Sequence, residues 1–371
     1  MKISVLTFAL ILGALQARCT IHTVSNDVNH PAQFSDIQSA LNAANAGDTI
    51  YVNGTQYLYP DFEVSKKAII IGAGYNSSNQ LNLNTTVNNI SLNKTLVQND
   101  ASGTVIMGFM IYDQVGLASG SSAVNNITLT RNFFRPNNNF TVVSICSTCS
   151  NWLIYNNIFI NCCGGSYTVG IDGGNGSTNV IIQNNFFSSE GNGIQNFNQS
   201  SVVIDHNIFQ NTGIAAVKFA TITNNIYVTT NSRNFMDANT NYNIFDDNLS
   251  IVNSIGPDAP TNSFLGGTNS GAGNQVGVDP LFTAVADLNN FNYSFNYRLQ
   301  SGSPGHNAGT DGTDLGVYGG TYPFPSGGTP GGGYDTSAPP PIPQVTGMNI
   351  QNASVLPAAQ LKVTVQATIN N

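Results

Sequence analysis

Charge is scarce in this chain. Only 8% of its 371 residues are Asp, Glu, Lys or Arg, against roughly 25% in an ordinary globular domain. Asn, Ser, Thr and Gly carry the polarity instead. This excludes a coiled coil, whose flanking positions need charge. With 41% apolar residues, it also argues against charge-driven disorder. Cations are scarcest: 11 Lys plus Arg, no basic run beyond Lys66-Lys67, a net charge of −8 and a pI near 4.7. No nucleic-acid footprint is expected. The opening apolar run, Ile3 to Leu15, is too short to span a membrane. It follows Met1-Lys2 and ends at Gln16-Ala17, the pattern of a secretory signal peptide over residues 1–17 cleaved after Ala17. A secreted, extracellular or cell-surface location follows. Cys19 suggests lipidation, but Gln16-Ala17-Arg18 lacks the small residues such a site needs before its cysteine.

Cysteine is also sparse: Cys19, Cys146, Cys149, Cys162 and Cys163. Cys146-Ser147-Thr148-Cys149 is a CxxC, which suggests metal or redox chemistry. The simpler reading in an exported chain is a disulfide between neighbouring coils, Cys146 or Cys149 with Cys162 or Cys163. Adjacent Cys162 and Cys163 would face opposite ways on a strand, a poor start for a zinc tetrahedron.

What is present is a repeat. Arg131-Asn132-Phe133-Phe134, Asn156-Asn157-Ile158-Phe159, Asn184-Asn185-Phe186-Phe187, His206-Asn207-Ile208-Phe209, Asn224-Asn225-Ile226-Tyr227 and Tyr242-Asn243-Ile244-Phe245 share one phrase. Their aligned Asn residues are 25, 28, 22, 18 and 18 apart. A period near 20 in a strand-rich, helix-poor sequence indicates stacked coils, each unable to bury its apolar face alone. Stacking places Asn132, Asn157, Asn185, Asn207, Asn225 and Asn243 in one ladder at a bend, where Asn tolerates left-handed backbone and bonds to the next coil. Gly72 and Gly108 suit the same bend. Ile158, Phe186, Ile208, Ile226 and Ile244 are expected to point inward and fill the bore.

Before the repeat, one amphipathic helix is expected within residues 34–47. Ser35 and Gln38 form a capping box, Ile37, Ala40, Leu41 and Ala44 share a face, and Gly47 is a stop. It makes sense as a lid over the open end of the stack. The run from Phe34 through Val52, then Ile69-Ile70-Ile71-Gly72-Ala73-Gly74 and Val105-Ile106-Met107-Gly108-Phe109, resembles the start of secreted right-handed parallel β-helix proteins, the pectate-lyase-like superfamily. Val278-Asp279-Pro280-Leu281-Phe282, Tyr297-Arg298-Leu299-Gln300-Ser301-Gly302-Ser303-Pro304 and Asp314-Leu315-Gly316-Val317-Tyr318 are similar to the closing segment of that family. Gly305-His306-Asn307 departs from its usual Ile-Asp. The resemblance covers residues 21–320 and implies an all-β fold: a right-handed parallel β-helix over 18–322, with an N-terminal capping helix and a closing segment over 278–320. It matches no particular enzyme family. A Pro/Gly-rich linker over 323–343 then precedes a short β tail over 344–371.

Few charges are available for chemistry. Asp205-His206, Lys218, Asp172, Glu190, Arg233, Asp237, Arg131 and Arg135 are the central ones. The resemblance implies, for a lyase, a Lys or Arg base with calcium or cations as the charge sink. Lys218 is then the base candidate and His206, Asp205 and Arg233 its catalytic partners, while solvated surface residues are the plainer reading. A glycoside hydrolase needs two carboxylates on nearby coils; Asp172 with Glu190 or Asp205 is conceivable. Gly170-Ile171-Asp172-Gly173-Gly174-Asn175-Gly176-Ser177 offers oxygen ligands for Ca²⁺ without the spacing of a known calcium motif, and turn chemistry explains it. No other cofactor or metal is indicated. His22, His30 and His306 are isolated. Phe140, Trp152 and Tyr155 suit sugar stacking or core packing, and no matched exposed aromatic pair stands out. Two functions remain: an exported protein that associates with, and in one version cleaves, a polysaccharide, or a non-catalytic scaffold or adhesin. The oligomeric state is open.

Overall fold

The computed structural model describes residues 20–74, 83–136, 141–160, 169–188, 191–229, 234–252, 256 and 263–324, with the backbone of 343–350 and 363–369. The leader, Cys162, Cys163, Glu190, Arg233, Phe140 and most of the linker lie outside the described residues.

The chain is an all-β parallel solenoid of about nine turns with very little helix. Each full coil contributes strands to three faces. Face A is a 10-stranded parallel sheet running from Ile21–Val24 to Ile244–Asp246. Faces B and C together make a 14-stranded sheet, joined through the long strand Met110–Leu117. Face B stacks Phe133–Phe134, Ile158–Ile160, Phe186–Ser188, Ile208–Gln210 and Ile226–Val228. Face C stacks Thr141–Ser144, Val169–Asp172, Asn192–Asn198 and Gly213–Lys218.

The corner between faces A and B explains the repeat. Asn132, Asn157, Asn185, Asn207, Asn225, Asn248 and Asn274 form one ladder, each Nδ2 donating to the next Oδ1 at 3.0–3.1 Å. That same oxygen accepts the backbone N–H of the preceding ladder Asn. The ladder corrects two expectations. Asn243 is not a rung: it sits at another corner and bonds Asn269. The left-handed residue is the one before each rung, such as Asn156 (φ 55°), Asn184 (54°), His206 (51°) and Asn224 (58°).

The apolar pair after each rung also divides differently from the expectation. Successive strand residues face opposite ways. The second of each pair fills the bore: Phe134, Phe159, Phe187 and Phe209 stack at centroid distances of 4.5, 4.7 and 5.0 Å. The first points outward, so Phe133, Ile158, Phe186, Ile208 and Ile226 belong to a second apolar layer. The closing segment folds back over that layer. Phe282, Tyr297, Leu315, Val317 and Phe324 are buried against it, with Phe186 packed 5.1 Å from Phe291 and 4.7 Å from Tyr297. Ile244 is 47% exposed, on face A.

The helix is Ile37–Ala43, shorter than expected, and Ile37, Ala40 and Leu41 are buried. Asp36, not Ser35, caps it, accepting from Ser39 N. Gly47 lies beyond its end, which is capped at Ala44. The disulfide joins Cys146 to Cys149 within the CxxC, not across coils. Pro343–Ile350 and Val363–Ile369 pair antiparallel.

Asp48 ties the first coil together. It is 2% exposed and accepts the N–H groups of Thr20 and Asn45, each at 2.8 Å, with His22 Nε2 at 3.3 Å. Burial pushes its carboxyl up, but these bonds more than offset that and hold it below 3.8. A depressed carboxyl contributes stability above its unfolded value and loses it as pH falls through the lower folded value. Asp48→Asn is therefore expected to be less stable than wild type in urea denaturation at pH 7. The gap should shrink as pH falls below 3.8.

Candidate functional site

Face B is covered by the closing segment, and one outward column of face A is made of aliphatic residues and Thr. Face C is the open polar face. Its inward residues Val143, Ile171 and Ile194 are buried, so their neighbours Ser144, Asp172 and Gln195 point outward in register. The column continues through Ala215, and the bridge between Ile214 and Met236 carries it to Asp237.

Asp172 organises the middle of this face. Its Oδ1 accepts Gly174 N at 2.8 Å, and its Oδ2 accepts Gln195 Nε2 at 2.8 Å and Asn196 Nδ2 at 2.9 Å. Asn192 Nδ2 donates to Gln195 Oε1 at 3.1 Å. Both Asp172 oxygens are thus engaged by the chain's own N–H groups. Among the described residues no cluster of three or more His, Cys, Asp and Glu is placed to hold a metal ion.

A cleft of about 400 Å³ opens at the far end of the same face, lined by Asn192, Gly213, Asn234, Met236 and Asp237 among others. Gly213 is required there: a Cβ would run into the carbonyl of Phe235. Asp237 is held rigidly. Its Oδ1 accepts Ala216 N at 2.9 Å and Thr240 Oγ1 at 2.7 Å, and its Oδ2 accepts Asn239 Nδ2 at 3.2 Å. An ionised carboxylate has about four acceptor sites, so Oδ2 keeps capacity for a ligand hydroxyl. The site missed in the sequence is this cleft, which Asn192 and Asp237 both line; no shared phrase links residues two coils apart.

The sequence candidates do not converge. Asp205 and His206 sit at the corner of face A, where the closing segment seals them. His206 is 1% exposed. Its Nδ1 lies 2.9 Å from Asp205 Oδ2 without the angle of a hydrogen bond, and its Nε2 is 3.2 Å from Thr313 Oγ1 and 3.7 Å from Asp311 Oδ1. Partial burial raises the Asp311 carboxyl, but the hydroxyl and N–H of Thr313, with His206, pull it below its ordinary value. Asp205 accepts from Thr223 and Asn224, each at 2.8 Å. Lys218 ends a face C strand, half-buried and in register with Asn198. Asp172 and Asp205 lie on different faces, and Asp172 and Asp237 are three strand spacings apart, about 14 Å. Neither pair has the separation of a glycosidase pair. Trp152 is a core residue whose Nε1 bonds Val124 O at 3.0 Å, and Tyr155 packs at a tilt against Tyr322, 4.4 Å between ring centroids. No helix of the described residues is long and apolar enough to cross a membrane.

No family model matches this chain, and no curated protein does. Among solved structures, it is similar to the alginate lyase from Paenibacillus sp. str. FPU-7, with 16% identity and a TM-score of 0.37. The match covers 64% of this chain and 91% of that one.

Proposed function

We propose that this protein is exported and binds a polysaccharide along face C, with the Asn192–Asp237 cleft as its anchoring end. One observation carries the reading: among the described residues, face C combines an uncovered surface with two groups of fixed polar side chains, Asp172 with Gln195, Asn196 and Asn192, and, beyond Ala215, Asp237. Sugar hydroxyls both donate and accept, and preorganised amide and carboxylate groups match them without the entropy cost of ordering free side chains. Export is supported by the opening 17 residues and by the Cys146–Cys149 disulfide, which fits an oxidising compartment. The coils are taken to wind right-handed, as parallel crossovers nearly always do. The helix Ile37–Ala43 is taken to close the first coil, and residues 323–343 to be a linker to the tail.

Binding is the function assigned; cleavage has one remaining candidate among the described residues, Lys218 at the edge of the face. The test is a polysaccharide panel scored for co-sedimentation and for release of reducing or unsaturated ends. Asp237→Ala is expected to weaken association by roughly 10- to 100-fold, the value of a hydrogen bond to a charged group, and to leave the melting temperature within a few degrees. Lys218→Ala is expected to leave association unchanged. Binding to no polysaccharide, or unaltered binding by Asp237→Ala, overturns the proposal.

A further inference from the structure

We infer that the outer side of face A is a self-association surface whose occupant is a second copy of this chain, packed back to back. This does not rest on the polysaccharide reading, because face C lies on a different side of each coil.

The first support is the composition of one column. Strand pairing places Ile21, Thr49, Ile69, Val105, Thr128, Leu153, Ile181, Val203, Thr221 and Ile244 in register across ten strands. Their strand neighbours, such as Ile50, Ile106, Ile154 and Ile222, are buried, so this column faces outward. Seven of its members are aliphatic, three are Thr and none is charged. Ile21, Ile181 and Ile244 are 54%, 37% and 47% exposed. An outward column on a solvated face ordinarily alternates to polar residues, and the matching column of face C does so.

The second support is independent. Two residues before this column, at the corner leading into face A, the backbone is left-handed. Three coils place Asn there: Asn126 (φ 59°), Asn151 (59°) and Asn179 (51°). Two later coils place Phe219 and Tyr242 there, both at φ 62°. Large side chains are disfavoured in that region. Their rings stack on each other at 5.2 Å and 12°, yet the residues remain 46% and 54% exposed. Strain held at exposed aromatics, with little burial within the single chain to offset it, points to contact outside the chain.

The dimensions fit a dimer. Ten strands at about 4.8 Å span ~43 Å. With the corner column, the strip is about 14 Å wide, so two copies bury ~1,200 Å². That is the lower edge of a specific interface. An uncharged centre bordered by Asn126, Asn151 and Asn179 on one edge and, on the other, by the second outward column of the same strands with Asp205, Thr223 and Asp246 is the pattern of apolar core and polar rim. A straight column also meets its own copy under a two-fold axis.

The test is sedimentation velocity of the full chain. Wild type is expected to pass from monomer to dimer with a micromolar dissociation constant. The double variant Phe219→Asn with Tyr242→Asn copies the residue used at three equivalent corners, so it should fold. It is expected to remain monomeric, with association weakened at least ~100-fold and, at concentrations low enough that wild type is also monomeric, a melting temperature equal to or above wild type. Ile181→Lys should also be monomeric. A wild type that stays monomeric at high micromolar concentration overturns the inference, as does dimerisation undiminished in both variants. So does a melting temperature lowered by the double substitution at a concentration where wild type is monomeric, which would make the pair internal packing. A monomer whose polysaccharide binding is lost in the double variant would reassign the strip to carbohydrate and equally overturn the second copy.

Discussion

Asn185→Ala is expected to destabilise the solenoid by roughly 3–5 kcal/mol, although it removes no apolar group. Asn185 is 0% exposed. Its Nδ2 donates to Ile154 O, Gln183 O and Asn207 Oδ1 at 2.8, 3.0 and 3.1 Å. Its Oδ1 accepts the backbone N–H and the Nδ2 of Asn157, both at 3.0 Å. Alanine deletes all five bonds. It leaves the Asn157 N–H buried with no partner, and each orphaned buried group costs about 1–3 kcal/mol. Several partners keep second bonds, which is why the cost falls short of a full sum. Asn185→Asp should not rescue: it restores the acceptor but loses the donors and buries a charge. Urea unfolding followed by far-UV circular dichroism checks both. A loss below about 1 kcal/mol for Asn185→Ala would mean that water or a repacked neighbour replaces the rung.

The ladder shows how far the sequence carries. A side chain that must bond the same atom one coil away recurs at the coil period, so Asn132 through Asn225 are legible. The failure at Asn243 is equally physical. Tyr242-Asn243-Ile244-Phe245 repeats the letters, but Ile244 pairs with Thr221 on face A, whereas the true rung after Asn225 is Asn248, 23 residues on. Asn248 is followed by Leu249-Ser250, so the large second residue that marked other copies is missing. A loop of different length had shifted the phase, and letters alone do not report phase. The inward and outward members of each apolar pair were exchanged for a related reason. Alternation says that they face opposite ways, but not which one faces the bore, when the closing segment makes the outside of face B as dry as the inside.

Candidate chemistry was less legible because it depends on which face each residue reaches. Asp205 and His206 were attractive as adjacent titratable groups in a chain with few of them. Their place beneath Thr313 and Asp311 comes from contacts more than 100 residues away in the chain. Asn192 and Asp237 come to line one cleft through strand stacking, with the strand Gly213–Lys218 between them, and neither carries a local motif. The exposed Phe219 and Tyr242 are 23 residues apart and were hidden for the same reason.

Tyr297→Ala is the other large effect, and it should be confined to one part of the molecule. Tyr297 is 1% exposed and wedges between Phe186 and Phe282 at 4.7 and 5.4 Å. Emptying such a site costs about 3–5 kcal/mol. The coils do not share that loss equally. Face B keeps its strand pairing and the bore keeps its ring stack, whereas the closing segment holds on through the outer layer and a few bonds, such as Asn184 Nδ2 to Val317 O and Gly319 O. The loss therefore falls on the docking of residues 281–324, a local opening below the global stability. Limited proteolysis should cut within this segment at least ~100-fold faster than in wild type under conditions where cleavage follows the open population. The urea midpoint of the solenoid should move much less. Phe187→Ala is the control from the neighbouring ladder: its ring sits between Phe159 and Phe209 in the bore, so its cost should appear in global unfolding and leave the segment's relative protection intact. If Tyr297→Ala instead lowered global stability by the full amount with no selective cleavage, the segment and coils would be one cooperative unit, and the corner contacts at Asn184, His206 and Asn224 would be what binds them.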